Sequence, residues 1–240
     1  MPDKTNTQVD LPPDLPLGAE LDADGLWSQV LNLVQGTGRR PALFLDRDGV
    51  VVEDVHYLGH PDDVHLIDGA VRIIAEANKL AIPVIIATNQ AGISRGHFGW
   101  PEFIAVQEKI HDGLADEGVF INGVFACPHH GDGRAPYDTP DHPWRKPNPG
   151  MLLAAAQRLP IVLEKSLIIG DKAADLEAGK KAGLAGGIHV LTGHGKDGGE
   201  REASLGLSGD GYQVLTADNI GDAGALLGFF QGNGVIDGAS

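Results

Sequence analysis

The sequence predicts an α/β protein, a Rossmann-like three-layer α/β/α sandwich with a mainly parallel sheet. From Pro41 onward, short runs of consecutive apolar residues alternate with amphipathic stretches. Continuous apolar strands joined by helices are typical of a parallel sheet that is covered on both faces. With 240 residues, of which 42% are hydrophobic, the chain is long enough for one such core.

Four predicted strands each end in a polar cluster. They cover residues 42–45 before Asp-Arg-Asp-Gly, 84–87 before Thr-Asn-Gln, 124–126 before Cys-Pro-His-His, and 167–169 before Gly-Asp-Lys. Residues 186–191 and 213–215 are predicted as further strands. In open α/β sheets ligands bind at the carboxyl ends of the strands, so the four clusters are expected to form one site.

The predicted helices and linkers divide the rest of the chain. The clearest helical spacing is that of Phe103, Val106, Ile110 and Leu114. A Pro- and Asp-rich arm over residues 1–21 is predicted to be flexible, and a Gly-rich segment near 192–211 to be a mobile surface loop. A last helix is expected over 219–227, with the main domain at 41–230 and a tail at 231–240.

The segment 22–40 is predicted to be a helical extension that packs outside the sheet. Leu26, Val30, Leu33 and Val34 recur at helical spacing behind Asp22, which is a good helix cap.

The charge balance limits the partners. The net charge is -15, with 33 acidic and 18 basic residues, which argues against nucleic-acid binding. The sequence has a single cysteine, no signal peptide and no apolar run that could span a bilayer. We therefore expect a cytoplasmic, monomeric protein with a small soluble substrate and no membrane association.

The first polar cluster holds the strongest chemical signal. Asp46 and Asp48 lie two residues apart after the first predicted strand, and two carboxylates this close need a cation or a shared proton. Such a pair suits a nucleophile or metal ligand beside a proton carrier. For an isolated pair, a solvated loop of acids is an equally good interpretation.

The other clusters are weak signals when taken singly. Thr88 and Asn89 could bind phosphoryl oxygens or only cap a turn. Lys146 could bind an anion or be a solvated surface lysine. Asp171 and Asp175 could hold a metal or only complement a helix dipole.

The order of these residues along the chain resembles the haloacid dehalogenase (HAD) superfamily of phosphohydrolases. The resemblance implies that Asp46 attacks phosphorus and that Asp48 is the acid/base group. It also implies a Mg²⁺ ion held by Asp46, the Asp48 carbonyl and Asp171, with Asp175 in support. Thr88 and Lys146 would bind the phosphoryl oxygens.

Longer motifs narrow the resemblance to one subfamily. The chain resembles the D-glycero-D-manno-heptose 1,7-bisphosphate phosphatases and the related histidinol-phosphatases. The motifs that carry this are FLDRDG at 44–49, IDGA at 67–70, TNQAGISRG at 88–96, CPHH at 127–130, RKPNPGML at 145–152 and IGDKAADLEAG at 169–179.

This subfamily lacks a large cap domain, so the resemblance implies an open pocket walled by loops. The implied substrate residues are Asp54, Tyr57, Asn89, Gln90 and Arg145, and Arg145 is a natural clamp for a second phosphate. The chain departs from the subfamily pattern at Val52, His56 and Ala91, which we expect to lie near the substrate wall.

The resemblance also raises the question of a structural zinc ion. The subfamily uses Cys-x-His and then Cys-x-Cys, whereas this chain keeps Cys127 and His129, has His142 for one cysteine and Trp144 for the other. Tryptophan cannot bind zinc, so the fourth ligand would be water, Asp138 or Asp141. Alternatively, packing of Trp144 and the neighbouring prolines holds the loop without metal.

Heptose bisphosphate is thus the first expected substrate, and histidinol phosphate or another sugar phosphate the alternative. A receiver-type module that stores the phosphoryl group is a further alternative, but such a module has no need of Asp48. A non-catalytic phosphate sensor would be expected to have lost at least one of Asp46, Asp48, Lys146 and Asp171. All four are present, which argues against this alternative.

Overall fold

The computed structural model of the protein describes residues 14–34 and 38–227. Over these residues the chain forms one eight-stranded sheet with helices on both faces, as the sequence predicts. The strands are β1 Ala19–Leu21, β2 Trp27–Val30, β3 Leu43–Leu45, β4 Val84–Asn89, β5 Gly123–Cys127, β6 Leu167–Gly170, β7 Gly186–Val190 and β8 Gln213–Ala217. The helices are α1 Asp68–Lys79, α2 Ala91–Arg95, α3 Trp100–Asp116, α4 Gly150–Arg158, α5 Ala173–Lys181, α6 Glu200–Leu205 and α7 Ile220–Ala223, with 3₁₀ turns at Pro61–Asp63, Leu163–Lys165 and Gly224–Leu226.

The strand order is β1-β2-β5-β4-β3-β6-β7-β8. Strands β3 to β8 run parallel, and Leu43 of β3 pairs with Val84 on one side and Leu167 on the other. Strand β3 is therefore central, and its carboxyl end lies between those of β4 and β6.

Two apolar cores cover the two faces of the sheet. Leu43 and Leu45 belong to the core that includes residues of α1 and α3, whereas Phe44 belongs to the core that includes residues of α4 and α5. Alternate residues of a strand point to opposite faces, so these three consecutive residues anchor both layers of helices. The predicted three-layer architecture is confirmed.

The prediction of a helical extension over 22–40 is wrong for the residues that the structure describes. Strands β1 and β2 form an antiparallel hairpin there, and β2 pairs antiparallel with β5 at the sheet edge. Asp22 caps the hairpin turn, since its Oδ1 accepts hydrogen bonds from the amides of Asp24 (3.0 Å) and Leu26 (2.9 Å). Pairing with an open sheet edge, which local spacing cannot reveal, outweighs the helical pattern.

The same hairpin shortens the predicted N-terminal arm. Residues 19–21 of the segment expected to be flexible form β1, while residues 1–13 lie outside the described part of the chain.

The Gly-rich segment 192–211 contains more regular structure than a loop, whereas its mobility stays a prediction. It contains α6, and its first residues lie at the carboxyl ends of the parallel strands, where the Thr192 hydroxyl donates to the Gly49 carbonyl. The expected last helix is the short α7 followed by a 3₁₀ turn, and the predicted tail at 231–240 falls outside the described residues. None of the helices in the described ranges has both the length and the apolar character needed to cross a bilayer.

Truncating Trp27 tests whether the hairpin belongs to the folded core. Its side chain is fully buried and stacks on Trp100 with a centroid distance of 5.8 Å. We expect Trp27→Ala to lower the free energy of unfolding by about 3 kcal/mol or more, because a large buried ring leaves a cavity. Urea denaturation measures this, with Leu33→Ala as the control, because Leu33 is 82% exposed. Equal stability of the two variants would show that the hairpin is not part of the core.

Candidate active site

Asp46 lies immediately after β3, and the backbone fixes its position. Its amide donates to the Ile169 carbonyl of β6 (3.0 Å), and its Oδ1 accepts from the amide of Arg47 (2.7 Å). Gly49 then turns the chain back with a φ of +78°, and a Cβ there would lie 2.9 Å from Oδ2 of Asp171. Glycine is therefore required at this turn for both its backbone conformation and its small size.

Lys146 is the buried cation of the site, not a solvated surface lysine. Its Nζ lies 2.8 Å from Oδ1 of Asp46 and 2.6 Å from Oδ1 of Asp175, and it donates to the Ala87 carbonyl (2.7 Å). Burial alone would lower the pKa of Lys146, but Asp175 and Asp46 outweigh it and raise this pKa. Lys146 is therefore held as a charged ammonium group between two carboxylates.

Three buried carboxylates meet at this point. Oxygen atoms of Asp46, Asp171 and Asp175 all lie within 4.8 Å of one another. Oδ2 of Asp171 accepts from the amide of His194 (2.7 Å), whereas its buried Oδ1 has no hydrogen-bond partner in the described part of the chain. Burial, together with Asp175 and Asp46, raises the pKa of Asp171 to about 8.

The donor set fits a hard divalent cation. Lys146 supplies one positive charge to three carboxylates, and a buried acceptor without a partner is costly. Carboxylate oxygens are the ligands that Mg²⁺ prefers, so a bound cation would both neutralise the surplus charge and satisfy Oδ1 of Asp171.

Asp48 is oriented by a buried arginine. Nη2 of Arg47 lies 3.0 Å from Oδ1 of Asp48, and Gln90 Nε2 donates to Oδ2 of Asp48 (3.1 Å). Arg47 is itself held by Gln107 (3.1 Å) and lies over the ring of Phe103. The Asp48 side chain is thus fixed beside Asp46 while remaining partly open to the pocket.

The end of β4 positions both Thr88 and Lys146. The Thr88 hydroxyl accepts from Gln90 Nε2 (2.8 Å). The Asn89 side chain bonds the backbone of Lys146 twice, accepting from its amide (3.0 Å) and donating to its carbonyl (3.0 Å). Asn89 therefore ties the loop that carries Lys146 to the central sheet.

These groups open into a cavity of about 390 Å³. Its walls include residues of three loops, 54–57, 89–92 and 127–145, as expected for the subfamily, and the described residues contain no cap domain over it. The residues predicted for the site that line the cavity are Asp46, Asp48, Asp54, Tyr57, Thr88, Asn89, Gln90, Arg145, Lys146 and Asp175. Of the three departures, His56 and Ala91 line it, whereas Val52 is fully buried in the core.

Two arginines and a histidine line the cavity away from the carboxylates. Nη2 of Arg95 lies 3.0 Å from Nε2 of His130, and Nη1 of Arg95 donates to the Tyr57 hydroxyl. Arg145 lies nearby, and its Nη1 donates to the carbonyl of His129 (2.8 Å). Burial, with Arg145 and Arg95, lowers the pKa of His130. We call Arg95, His130 and Arg145 the outer cationic cluster, after the charge of its two arginines.

Four residues of the site were missed by the sequence reasoning. Arg47, Arg95 and His130 stand in the quoted motifs, but only their contacts in the fold reveal their roles. His194 comes from the Gly-rich segment that was expected to be mobile, and its Nε2 lies 3.1 Å from Oδ2 of Asp54. No pattern in that segment pointed to the cavity.

The residues considered for zinc do not converge on one point. Sγ of Cys127 lies 3.9 Å from Nδ1 of His142, but the rings of His129 and His142 are stacked, with centroids 4.0 Å apart and planes 12° apart. Asp141 accepts from Asn148 instead (2.6 Å). Zinc binding and a loop held by packing both stay predictions, and neither Asp138 nor Asp141 joins these residues in a metal-binding group among the described residues.

Comparison with known proteins agrees with this geometry. The HAD-hydrolase-like family model matches residues 143–212. The D-glycero-beta-D-manno-heptose-1,7-bisphosphate 7-phosphatase of Mesorhizobium japonicum is 47% identical over 167 residues, which are 70% of this chain and 77% of the relative.

Two solved structures are similar over most of their length. A candidate HAD-like phosphatase of Mesorhizobium loti has a TM-score of 0.76 and 40% identity, covering 87% of this chain and 94% of its own. The D,D-heptose 1,7-bisphosphate phosphatase of B. bronchiseptica, crystallised with magnesium and phosphate, has a TM-score of 0.63 and 32% identity, covering 76% and 95%.

The shared fold, the carboxylates at the strand ends and the level of identity lead to one assignment. The chain belongs to the haloacid dehalogenase-like hydrolases and, among them, to the phosphatase group that contains the heptose 1,7-bisphosphate phosphatases.

Proposed function

We propose that the protein removes one phosphate from a phosphorylated sugar, D-glycero-D-manno-heptose 1,7-bisphosphate first, through an aspartyl-phosphate on Asp46. The observation that carries the proposal is the buried cluster in which Asp46 contacts Lys146 and lies beside the unpartnered Oδ1 of Asp171. A nucleophilic carboxylate needs such positive charge around it to accept an anionic phosphoryl group.

Asp46 attacks through its free oxygen. Within the described part of the chain, the Asp46 side chain contacts the Arg47 amide and Lys146 through Oδ1, so Oδ2 remains to form the bond to phosphorus. As that bond forms, the bond from phosphorus to the sugar oxygen breaks, and the leaving alkoxide takes a proton from the carboxyl group of Asp48. Water then attacks phosphorus, gives a proton back to Asp48 and releases phosphate and the Asp46 carboxylate.

A Mg²⁺ ion completes the site in this proposal. Asp46, Asp171 and the carbonyl of Asp48 would hold it, and when bound it supplies positive charge for the phosphoryl oxygens. Lys146 and Thr88 bind the remaining oxygens, and Asp175 keeps Lys146 in place through the 2.6 Å ion pair. The similarity to a phosphatase crystallised with magnesium and phosphate supports this arrangement.

The outer cationic cluster favours a substrate with two phosphates. Arg95, His130 and Arg145 line the same cavity as Asp46 but contact none of the three buried carboxylates. Arginine binds phosphate through paired hydrogen bonds, so the cluster suits the phosphate that does not react. The name of the Mesorhizobium japonicum relative supports the 7-phosphate as the one removed. The cytoplasmic location and the monomeric state stay predictions.

Phosphate release from a substrate panel tests the proposed function. We expect turnover of heptose 1,7-bisphosphate at one phosphate only, faster than that of histidinol phosphate or hexose monophosphates, and loss of turnover with EDTA. Faster turnover of a monophosphate would reject the substrate while leaving the chemistry intact.

Arg145→Met should raise the KM for the bisphosphate about tenfold or more, because a charged hydrogen bond is lost, and leave p-nitrophenyl phosphate hydrolysis little changed.

Two substitutions separate the roles of the paired aspartates. Asp46→Asn is expected to abolish turnover, because the nucleophile is lost. Asp48→Asn should slow both chemical steps by about 10²-fold or more while Mg²⁺ binding is kept, because general acid–base catalysis is lost and only its carbonyl binds the ion. Stopped-flow turnover and calorimetric Mg²⁺ titration measure the two effects. Normal turnover by Asp46→Asn would exclude the mechanism.

The raised pKa of Asp171 predicts pH-dependent binding of Mg²⁺. Below its pKa of about 8, the ion must displace a proton, so the apparent affinity should rise with pH and level off above this value. In the metal-free protein the proton is held more tightly than in the unfolded chain, so stability should fall as the pH rises toward 8.

Calorimetry and thermal denaturation across this pH range, with and without Mg²⁺, measure both trends. Asp171→Asn is the control, because it lacks the titrating group. An affinity that does not change with pH would contradict the prediction.

A further inference from the structure

The turn of the N-terminal hairpin contacts the loop of residues 128–145. This loop forms one wall of the cavity through His130 and Arg145, and we call it the wall loop. Nε2 of His129 lies 2.8 Å from the carbonyl oxygen of Asp24, in the turn between β1 and β2. Because a carbonyl only accepts, this nitrogen carries the proton. His129 is buried, so the contact is a fixed one and not a passing surface contact.

A second contact in the same turn involves Gly25 and Tyr137. Gly25 has a φ of +74°, and a Cβ there would lie 2.1 Å from Cε1 of Tyr137. The Tyr137 hydroxyl accepts from Nε1 of Trp100 (3.0 Å), and Trp100 stacks on Trp27 of β2. The hairpin and the wall loop are therefore joined through packed, mostly buried aromatic side chains.

Both contacts lead directly to the outer cationic cluster. The carbonyl of His129 accepts from Arg145 (2.8 Å), and the amide of His130 donates to the carbonyl of Tyr137 (3.0 Å). Two of the three members of the cluster are thus held by residues that the hairpin turn contacts. Through His129 and Tyr137 the turn therefore supports Arg145 and His130, whereas none of its contacts described above involves the carboxylates at the strand ends.

The geometry of the wall loop does not fit a shared zinc ion. A histidine nitrogen binds metal along a lone pair that lies in the plane of its ring. The rings of His129 and His142 are nearly parallel and stacked, so no ion can lie in both planes. Nδ1 of His142 accepts from the amide of Trp144 (3.2 Å), so this nitrogen already has a partner within the loop. Each of these features agrees with a loop held by packing.

We propose that the N-terminal hairpin is a positioning element that sets Arg145 and His130 for the non-reacting phosphate, and that the wall loop keeps its shape without bound zinc. The inference rests on the proposed function for its effect on the substrate. Its structural part, the support of residues 128–145 by the hairpin turn, does not depend on which substrate is used.

Two pairs of variants test the support. Gly25→Ala forces a clash with Tyr137, and Gly118→Ala is its control, because Gly118 has a similar φ of +71° with nothing within 4 Å of the added Cβ. Asp22→Ala removes the acceptor that orders the turn, and Asp22→Asn restores an oxygen at the same place. The Asp22 variants cause no clash, so they keep the test available if Gly25→Ala fails to fold.

The first readout needs no substrate. We expect faster hydrogen exchange in residues 128–145 for Gly25→Ala and Asp22→Ala, and wild-type exchange for Gly118→Ala and Asp22→Asn. Elemental analysis of protein expressed in zinc-supplemented medium should find well below one zinc per chain. Unchanged exchange in the two disrupting variants, or one zinc per chain, would overturn the inference.

The second readout separates positioning from general damage. The KM for heptose 1,7-bisphosphate should rise about tenfold in Gly25→Ala, as expected for one weakened charged hydrogen bond, while hydrolysis of p-nitrophenyl phosphate stays within about twofold. Equal losses with both substrates would reject a positioning role. If the wild type cleaves p-nitrophenyl phosphate but not the bisphosphate, the proposed substrate is wrong, and hydrogen exchange and zinc content alone decide the inference.

Discussion

The buried ion pairs of Lys146 with Asp46 and Asp175 are the interaction on which the site depends. A lysine this deeply buried is stable only as part of a compensated network, and both carboxylates lie within 2.8 Å of its ammonium group. Adding Asp171 to the group leaves more negative than positive charge in the interior. A further cation would neutralise this surplus charge and would favour the binding of an anionic phosphoryl group.

The parallel sheet meets this constraint by bringing distant residues to one edge. Strands β3, β4 and β6 are adjacent, so Asp46, Thr88 and Asp171 emerge side by side although they are far apart in sequence. Lys146 comes from a loop and has no strand to hold it. Two hydrogen bonds from the Asn89 side chain to its backbone hold it in place instead. Because the strand ends are fixed by the sheet and the Lys146 loop is hydrogen-bonded to Asn89, the site is largely formed before a substrate binds.

The sequence was sufficient where structure is local or the motif is specific, and insufficient where distant partners decide. Continuous apolar runs predicted the central strands, and the motifs predicted which polar residues meet. Leu26 and Val30 have helical spacing, but the open edge of β5, about 100 residues away, pairs with their segment as a strand. His194 and Arg47 matter because of what they touch, and contacts between segments leave no periodic signal.

The distribution of charge explains how a strongly acidic protein can select an anion. With a net charge of -15, the molecule as a whole repels phosphates at long range. Inside the cavity the charge is different, with Lys146 at the reacting end and Arg95 and Arg145 in the outer cluster. An anion with one phosphate can satisfy only one of these two positions, whereas a bisphosphate of suitable length satisfies both. Selectivity then depends on the distance between the two cationic regions. The core fixes the position of Lys146, and the wall loop, supported by the hairpin, fixes the position of Arg145.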